Sequence, residues 1–427
     1  MSFKNITFQW TQSICYIPIH HWNNTFEFKK HIYSYDFHQC VEKSKLNNIE
    51  YYYLIIREFE QIVSILPCFV YSIDLLIFSN KIFQLMIKKV RTINACFLVP
   101  KAFIVGTPIA VCDHFFNSFL KENHIVCSKM ALEIKLKSIG LGCQLIVLKE
   151  ISELEKPYFE FLFKDYFFVE SLPNSYIYVG DLLPKFPNAL KKKYRYRVKK
   201  SMKNFNNSQL TWTKEFKFAH YSKEFYDLYS QVFQKSAYQF EKLSVSFFEY
   251  LNFSLGNNVF ALICRNQHRQ IVCFEIVIEE KNYLFPIYLG LNYQLAKGTD
   301  VYFNCIYRII EEAQRLNKKF IILGQTSYLA KAYAGAIFDR LFVGVYSHHQ
   351  WLRFFLKRFQ KYIFPVKPLP LVSAYQLKYR QMMNTLSLLN YCRSHLGKKN
   401  NKTLVVKSAN YNRLAKYYNC ITRFISQ

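Results

Sequence analysis

Glu275 stands in the stretch 271–278, where both faces of an extended chain would otherwise be apolar. Ile271, Cys273 and Val277 share its face, and Val272, Phe274, Ile276 and Ile278 form the other. A carboxylate in such a strand is costly unless it is paired or used, and burial raises its pKa toward that of a working base. The competing reading is a salt bridge across the sheet. Farther on, Gly324, Gln325, Thr326 and Ser327 end a short apolar run, and Lys331 follows one turn into the next helix. Open α/β sheets bind ligands at such strand ends. The hydroxyl and amide groups there are hydrogen-bond donors, and Lys331 is a cation for a phosphate or carboxylate. Lys297, Gly298 and Thr299 precede Asp300 at a helix start, where free N–H groups attract phosphate; Asp300 alternatively serves as the N-cap. Tyr288 and Tyr328 are candidate proton donors. Together these residues could supply a base, hydrogen-bond donors that polarise a carbonyl and a proton donor, the groups that general acid–base chemistry at a carbonyl requires. Glu275, Tyr288 and Lys331 are the catalytic candidates. Lys297, Gly298, Thr299, Gly324, Gln325, Thr326 and Ser327 are the candidates for donor binding.

Other chemistries find little support. The twelve cysteines include no CxxC pair, and His348-His349 and Asp113-His114 lack a third ligand or a nucleophile motif, so no metal is expected. No Walker loop or dinucleotide fingerprint occurs. The most apolar long window, 95–112, is broken by Pro100, Lys101, Gly106 and Pro108 and does not read as a spanning helix. Several cysteines sit in apolar runs, where reduced thiols pack as small hydrophobes. With no recognisable signal peptide, this predicts a cytoplasmic protein, peripheral to the inner membrane face if it meets a membrane at all.

The net charge of +28 is unevenly placed. Residues 348–427 hold fifteen Lys or Arg and no Asp or Glu, and 191–203 hold eight basic residues in thirteen. Such clusters attract RNA, anionic lipid or cofactor phosphates; the plainer reading is a solvated helix face. Arg195, Arg197, Lys199 and Lys200 are the polyanion-binding candidates. Leu190, Tyr194, Val198 and Met202 lie four apart, so the spacing predicts a helix over 188–205 with that stripe buried.

At 427 residues the chain predicts two domains. Residues 51–57 and 61–73 read as a hairpin, followed by a strand at 103–109, a helix over 115–138 carrying Phe119, Ile125, Ala131 and Leu132, and a strand at 144–148. The second unit reads as strands at 259–264, 271–279 and 283–291, a helix at 301–316, a strand at 320–324, a short helix at 327–335 and a last strand at 340–347. The expected organisation is an N-terminal extension (1–45), two mixed α/β domains (46–187 and 209–347), a basic linker helix (188–208) and a basic tail (348–427).

The element order in 259–347 resembles the GNAT acyltransferase fold. The stretch 321–336, with Gly324, Lys331 and Gly335, resembles the strand–Gly–x6–Lys–x3–Gly signature of the Fem-type and related acetyltransferase families. Residues 191–200 resemble the basic helix between their tandem domains, and 105–109 a stretch of their first domain. The resemblance spans roughly 50–347. It implies two tandem GNAT-like domains and transfer of an acyl group from acyl-CoA to an amine, on a small molecule or in the cell envelope. An aminoacyl-tRNA donor is the alternative, as is a non-catalytic RNA- or membrane-binding protein on the same fold. The acyl-CoA loop pattern is not reproduced: 137–142 matches it in the wrong context, and 294–299 lacks the glycine spacing.

Overall fold

The computed structural model describes residues 5–26, 30–46, 49–366 and 368–380. The strands are β1 Ile6–Thr11, β2 Glu50–Glu58, β3 Gln61–Ser72, β4 Lys101–Val105, β5 Leu145–Ser152, β6 Phe167–Glu170 and β7 Asn174–Tyr178, then β8 Thr211–Glu215, β9 Val259–Arg265, β10 Ile271–Glu279, β11 Tyr283–Leu291, β12 Phe320–Gly324, β13 Ile337–Asp339 and β14 Leu341–Ser347. The helices are α1 Ile19–Thr25, α2 Tyr35–Lys43, α3 Lys81–Val90, α4 Ser118–Glu122, α5 His124–Gly140, α6 Lys156–Leu162, α7 Lys192–Asn207, α8 Ser222–Lys235, α9 Val245–Leu255, α10 Val301–Arg315, α11 Tyr328–Tyr333, α12 Gln350–Arg358 and α13 Gln360–Ile363.

Two seven-stranded mixed sheets result, with orders β1-β2-β3-β4-β5-β14-β6 and β8-β9-β10-β11-β12-β7-β13. Position for position the halves repeat: antiparallel strands lead to one parallel pair, β4 with β5 and β11 with β12, each joined by helices. The sixth place breaks the separation. There β7, from the first half, lies between β12 and β13, while β14, from the second half, lies between β5 and β6. The strand at 340–347, expected to finish the second unit, therefore completes the first sheet. Its Leu341, Phe342 and Val345 are buried, and hydrophobicity alone does not say which sheet an apolar strand will join.

Other boundaries move for similar reasons. Residues 1–45 are no appendage: β1 pairs with β2 along its full length, and Phe37, Cys40 and Val41 of α2 enter the main core. The tail also begins inside the fold, because Leu352, Leu356 and Ile363 are buried in that core and Tyr375 bridges to Leu190. The rest of the basic tail, 381–427, lies outside the described residues. On α5 the inward face is Val126, Cys127, Met130 and Ile134, whereas Ile125 and Leu132, expected inward, are exposed; more than one apolar stripe fits that helix, and spacing alone does not say which one packs. The basic helix starts at Lys192 rather than 188, since Leu190 is engaged with Tyr375. Its stripe is largely inward: Leu190 and Val198 are buried, Tyr194 and Met202 half-buried, with Phe205 extending it.

The second sheet is covered on both faces. Helices α8 and α9 lie on one side, where Phe225 stacks on Phe274 with centroids 4.0 Å apart. On the other, α10 and α7 cover Val272, Val277 and Leu284, joined by Asn304 Nδ2 donating to Ser201 O at 3.1 Å.

The exchange predicts that residues 1–187 expressed alone will not fold. Without β14, strand β6 loses the partner it has in the structure and β5 becomes a bare edge. Heat or denaturant should give no cooperative transition for that fragment; a sharp transition with a stable baseline would contradict the shared architecture.

Candidate active site

Only two residue pairs join β11 to β12, Tyr283 with Phe320 and Leu284 with Ile321. Beyond them β12 pairs with β7 and β11 with β10, so the two parallel strands part toward their C-terminal ends. A β-bulge accompanies the parting. Ile276 faces Tyr288 but Val277 faces Pro286, which leaves Ile287 as the extra residue; bulges of this kind re-aim side chains beside functional sites. In the first sheet the corresponding strand ends are bridged: Lys149 runs past Gly106 and its Nζ donates to Thr107 O at 2.7 Å.

Glu275 lies on the α10 face of β10. Its Oε2 accepts from Cys305 Sγ at 2.7 Å, and no cation lies within ion-pair distance among the described residues. The cross-sheet salt bridge that competed with a functional reading is absent. Burial pushes the carboxyl up to about 7, against the opposing pull of the Cys305 hydrogen bond and the Lys331 ammonium. Burial also raises the Cys305 thiol, helped by Cys273 and Glu275, so the thiol stays protonated and donates. Tyr302 completes the group. Its hydroxyl is pushed up to about 12, chiefly by burial, with a hydrogen bond to Ser327 opposing and the nearby Glu275 adding to the rise.

Lys331 is buried, and its ammonium donates to three backbone carbonyls: Leu323 at 2.7 Å, Gly324 at 3.3 Å and Gln325 at 2.8 Å. An ammonium has three donors, so none remains for a phosphate or carboxylate ligand. This corrects the expectation of a ligand-clamping cation: Lys331 pins the turn after β12, and burial lowers it to about 8. The pin is needed because Gly324, Thr326 and Ser327 all have positive φ, at 65°, 66° and 51°, and the last two are conformations costly for side-chain-bearing residues. The first half also fastens this turn. Ser175 Oγ donates to Gly324 O, Gln325 Nε2 to Leu172 O at 3.0 Å and Tyr328 OH to Pro173 O at 3.2 Å. Gly335, at φ 100°, closes α11 where a Cβ would meet the Tyr375 hydroxyl at 2.8 Å.

Tyr288 is a second correction. It alternates with Leu289 onto the opposite face of the sheet, where its hydroxyl donates to Glu241 Oε1 at 2.9 Å. An odd-numbered offset along a strand puts two residues on opposite faces, and Glu275 pairs with Leu289. Tyr302 and Cys305, on the crossover helix, take the place beside Glu275. Helical spacing turns Cys305 toward the sheet, but 33 tyrosines and twelve cysteines give the sequence no local mark that separates Tyr302 and Cys305 from the rest.

The loop at 292–300 spends most of its donors on itself. Asn292 Oδ1 accepts from the N–H groups of Gln294 and Leu295, Asn292 O from Ala296, Gln294 O from Lys297 and Ala296 O from Thr299. Lys297 and Gly298 are exposed while Thr299 is buried. Asp300 is not a side-chain cap; its Oδ2 accepts from Asn204 Nδ2 of α7 at 2.9 Å. On α7, Lys199 and Lys200 are exposed and Arg195 half-buried, and Arg197 stacks 3.9 Å above the Tyr333 ring. Thus α7 lies beside both the α10 start and α11. A separate open pocket of about 620 Å³, lined by His31, Glu280 and Lys318 among others, lies at the N-terminal ends of β11 and β12, away from Glu275.

With this geometry in view, the chain has the tandem GNAT, Fem-like fold. It aligns with the structure of FemX at TM-score 0.51 and 7% identity, covering 82% of this chain and all of that one. It also aligns with a tandem GNAT protein from the clavulanic acid biosynthesis pathway at 0.46 and 8%, over 80% of this chain and 98% of that one. For L-PGS from Bacillus licheniformis the values are 0.40 and 9%, over 60% and 82%. No sequence-family profile and no curated protein matches the chain.

The buried carboxyl makes a stability prediction. Its pKa is raised from the usual 4.5 to about 7 on folding, so the folded state holds a proton that the unfolded state has lost. Stability is therefore lost as pH rises through that window. Glu275→Gln should gain on the parent protein by up to roughly 3 kcal/mol between those pH values. Denaturant midpoints at several pH values measure this, and a difference that does not change with pH would contradict the buried, unpaired assignment.

Proposed function

We propose that the protein is an N-acyltransferase that moves an acyl group from acyl-CoA to an amine. The observation that supports this most is Glu275: a buried carboxyl with no cationic partner within ion-pair distance among the described residues, held by Cys305 where β11 and β12 part. A carboxylate poised near neutrality can take the proton from an ammonium, directly or through a water. The freed amine attacks the thioester carbonyl, a tetrahedral intermediate forms, and the C–S bond breaks to release the amide and the CoA thiolate. Tyr302 is the group we assign to protonate that thiolate, and it takes in turn the second proton of the attacking nitrogen, so that the amide leaves neutral and the tyrosine is restored. Gln325, Thr326 and Ser327 line the strand end, with Lys331 holding their turn in place.

A second reading has its own support. The 292–300 loop offers few free backbone donors for a pyrophosphate, and the cationic α7 lies against the start of α10. An aminoacyl-tRNA donor would use those cations and leave Glu275 the same task. In either case the acceptor is an amine, on a small molecule or a cell-envelope component.

Glu275→Gln should lower turnover about a hundredfold or more, with little change in donor affinity. In the parent protein, kcat/KM should rise as pH passes through about 7, because the ionised carboxylate is the active form. Calorimetry with acetyl-CoA and filter binding with charged tRNA, followed by transfer assays on a panel of amines, distinguish the donors. Full activity in Glu275→Gln would overturn the assignment. Failure of both donors to bind would count against the enzyme reading altogether.

A further inference from the structure

Two neighbouring helices carry apolar side chains that the fold does not use. In α3 the inward residues are Phe83 and Ile87, yet Ile82, Leu85 and Met86 are 73%, 64% and 60% exposed, and Ile93 just beyond the helix is 92% exposed. In α12 the inward residues are Leu352 and Leu356, yet Trp351 and Phe354 are 58% and 71% exposed. The helices belong to one surface. The Phe83 ring lies 6.2 Å from Phe359 and 6.3 Å from Tyr362, Phe97 lies 6.2 Å from Phe355, and Asn80 N–H donates to Tyr362 O at 3.1 Å. Phe355 is half-buried in this joint.

The charged residues on these elements themselves have one sign, and the acids beside them are Asp74, paired with Arg91, and Asp165, near Arg353 and Lys357. No Asp or Glu occurs in 75–112 or in 348–427, while Lys88, Lys89, Lys357, Arg358 and Lys361 are exposed on the same elements. We propose that the joined face of α3 and α12–α13 docks on an anionic lipid bilayer, with Ile82, Leu85, Met86, Ile93, Trp351 and Phe354 entering the headgroup region. Apolar side chains flanked by Lys and Arg, with Trp at the boundary, are the arrangement that binds such an interface. Among the described residues no helix is long and apolar enough to cross a membrane, so the contact is interfacial. Charge decides against the other occupants. The segment 381–427 carries eight Lys or Arg and no acid, and a second copy of this face has the same sign; both are repelled. An RNA would meet the cations but leave the aliphatic side chains without partners. The proposal stands apart from the acyl-transfer reading.

The test uses the full chain and sedimentation with vesicles of phosphatidylcholine alone or mixed with phosphatidylglycerol. The variant Leu85→Ser/Met86→Ser/Trp351→Ser/Phe354→Ser alters only exposed residues and keeps every charge, including those of 381–427; an unchanged unfolding midpoint verifies its fold. The parent protein should sediment with the mixed vesicles and not with phosphatidylcholine, and the variant should bind the mixed vesicles at least about tenfold more weakly. Three results would each overturn the proposal: no sedimentation of the parent, equal binding by parent and variant, or tight binding of single-stranded RNA with none to the mixed vesicles.

Discussion

The exchange of β7 and β14 is the constraint on which the rest of the structure depends. Each fills the sixth place of the sheet built mainly by the other half, between two strands whose backbone groups it satisfies. The exchange also shapes the site. Because β12 is held along one edge by β7, it can separate from β11 on the other without becoming an unpaired strand. The approach to β7, residues 172–175, then fastens the turn after β12 through Ser175, Leu172 and Pro173. The first half thus supplies part of the framework for chemistry placed in the second.

Within that framework the charges divide their work. Lys331 spends its donors on three carbonyls and stabilises a turn whose left-handed Thr326 and Ser327 each cost on the order of 1–3 kcal/mol. Among the described residues Glu275 receives one thiol hydrogen bond and no ion pair, so its ionisation remains available near neutrality. A direct Lys331–Glu275 bridge would have held the carboxyl low, and their separation keeps it high. The first sheet places Lys149 across its equivalent strand ends, which leaves the second half as the one with an open strand end.

Much of this was legible in the sequence. The isolated Glu275 in an apolar strand, the hairpins and the basic helix all follow from periodicity, because side-chain spacing reports which face is buried. Long-range pairing does not: nothing in 341–347 records that its partners are β5 and β6 rather than β12. The site was half legible for the same reason. Local pattern points to Glu275 and to the turn at 324–327 as candidates, whereas it does not show that Tyr288 turns to the other face to meet Glu241. Cys305 and Tyr302 become visible only when α10 is laid on the sheet. The function of Lys331 rested on its charge, and only the carbonyls around it show that the charge is occupied.

The central claim is that burial without an ion pair leaves Glu275 titrating near neutrality. Difference infrared spectroscopy of the carboxyl band, parent protein against Glu275→Gln, reads that ionisation directly. The account predicts a protonated-carboxyl signal that disappears with a midpoint near 7. A carboxylate already ionised at pH 5, with no band lost between pH 5 and 8, would contradict it.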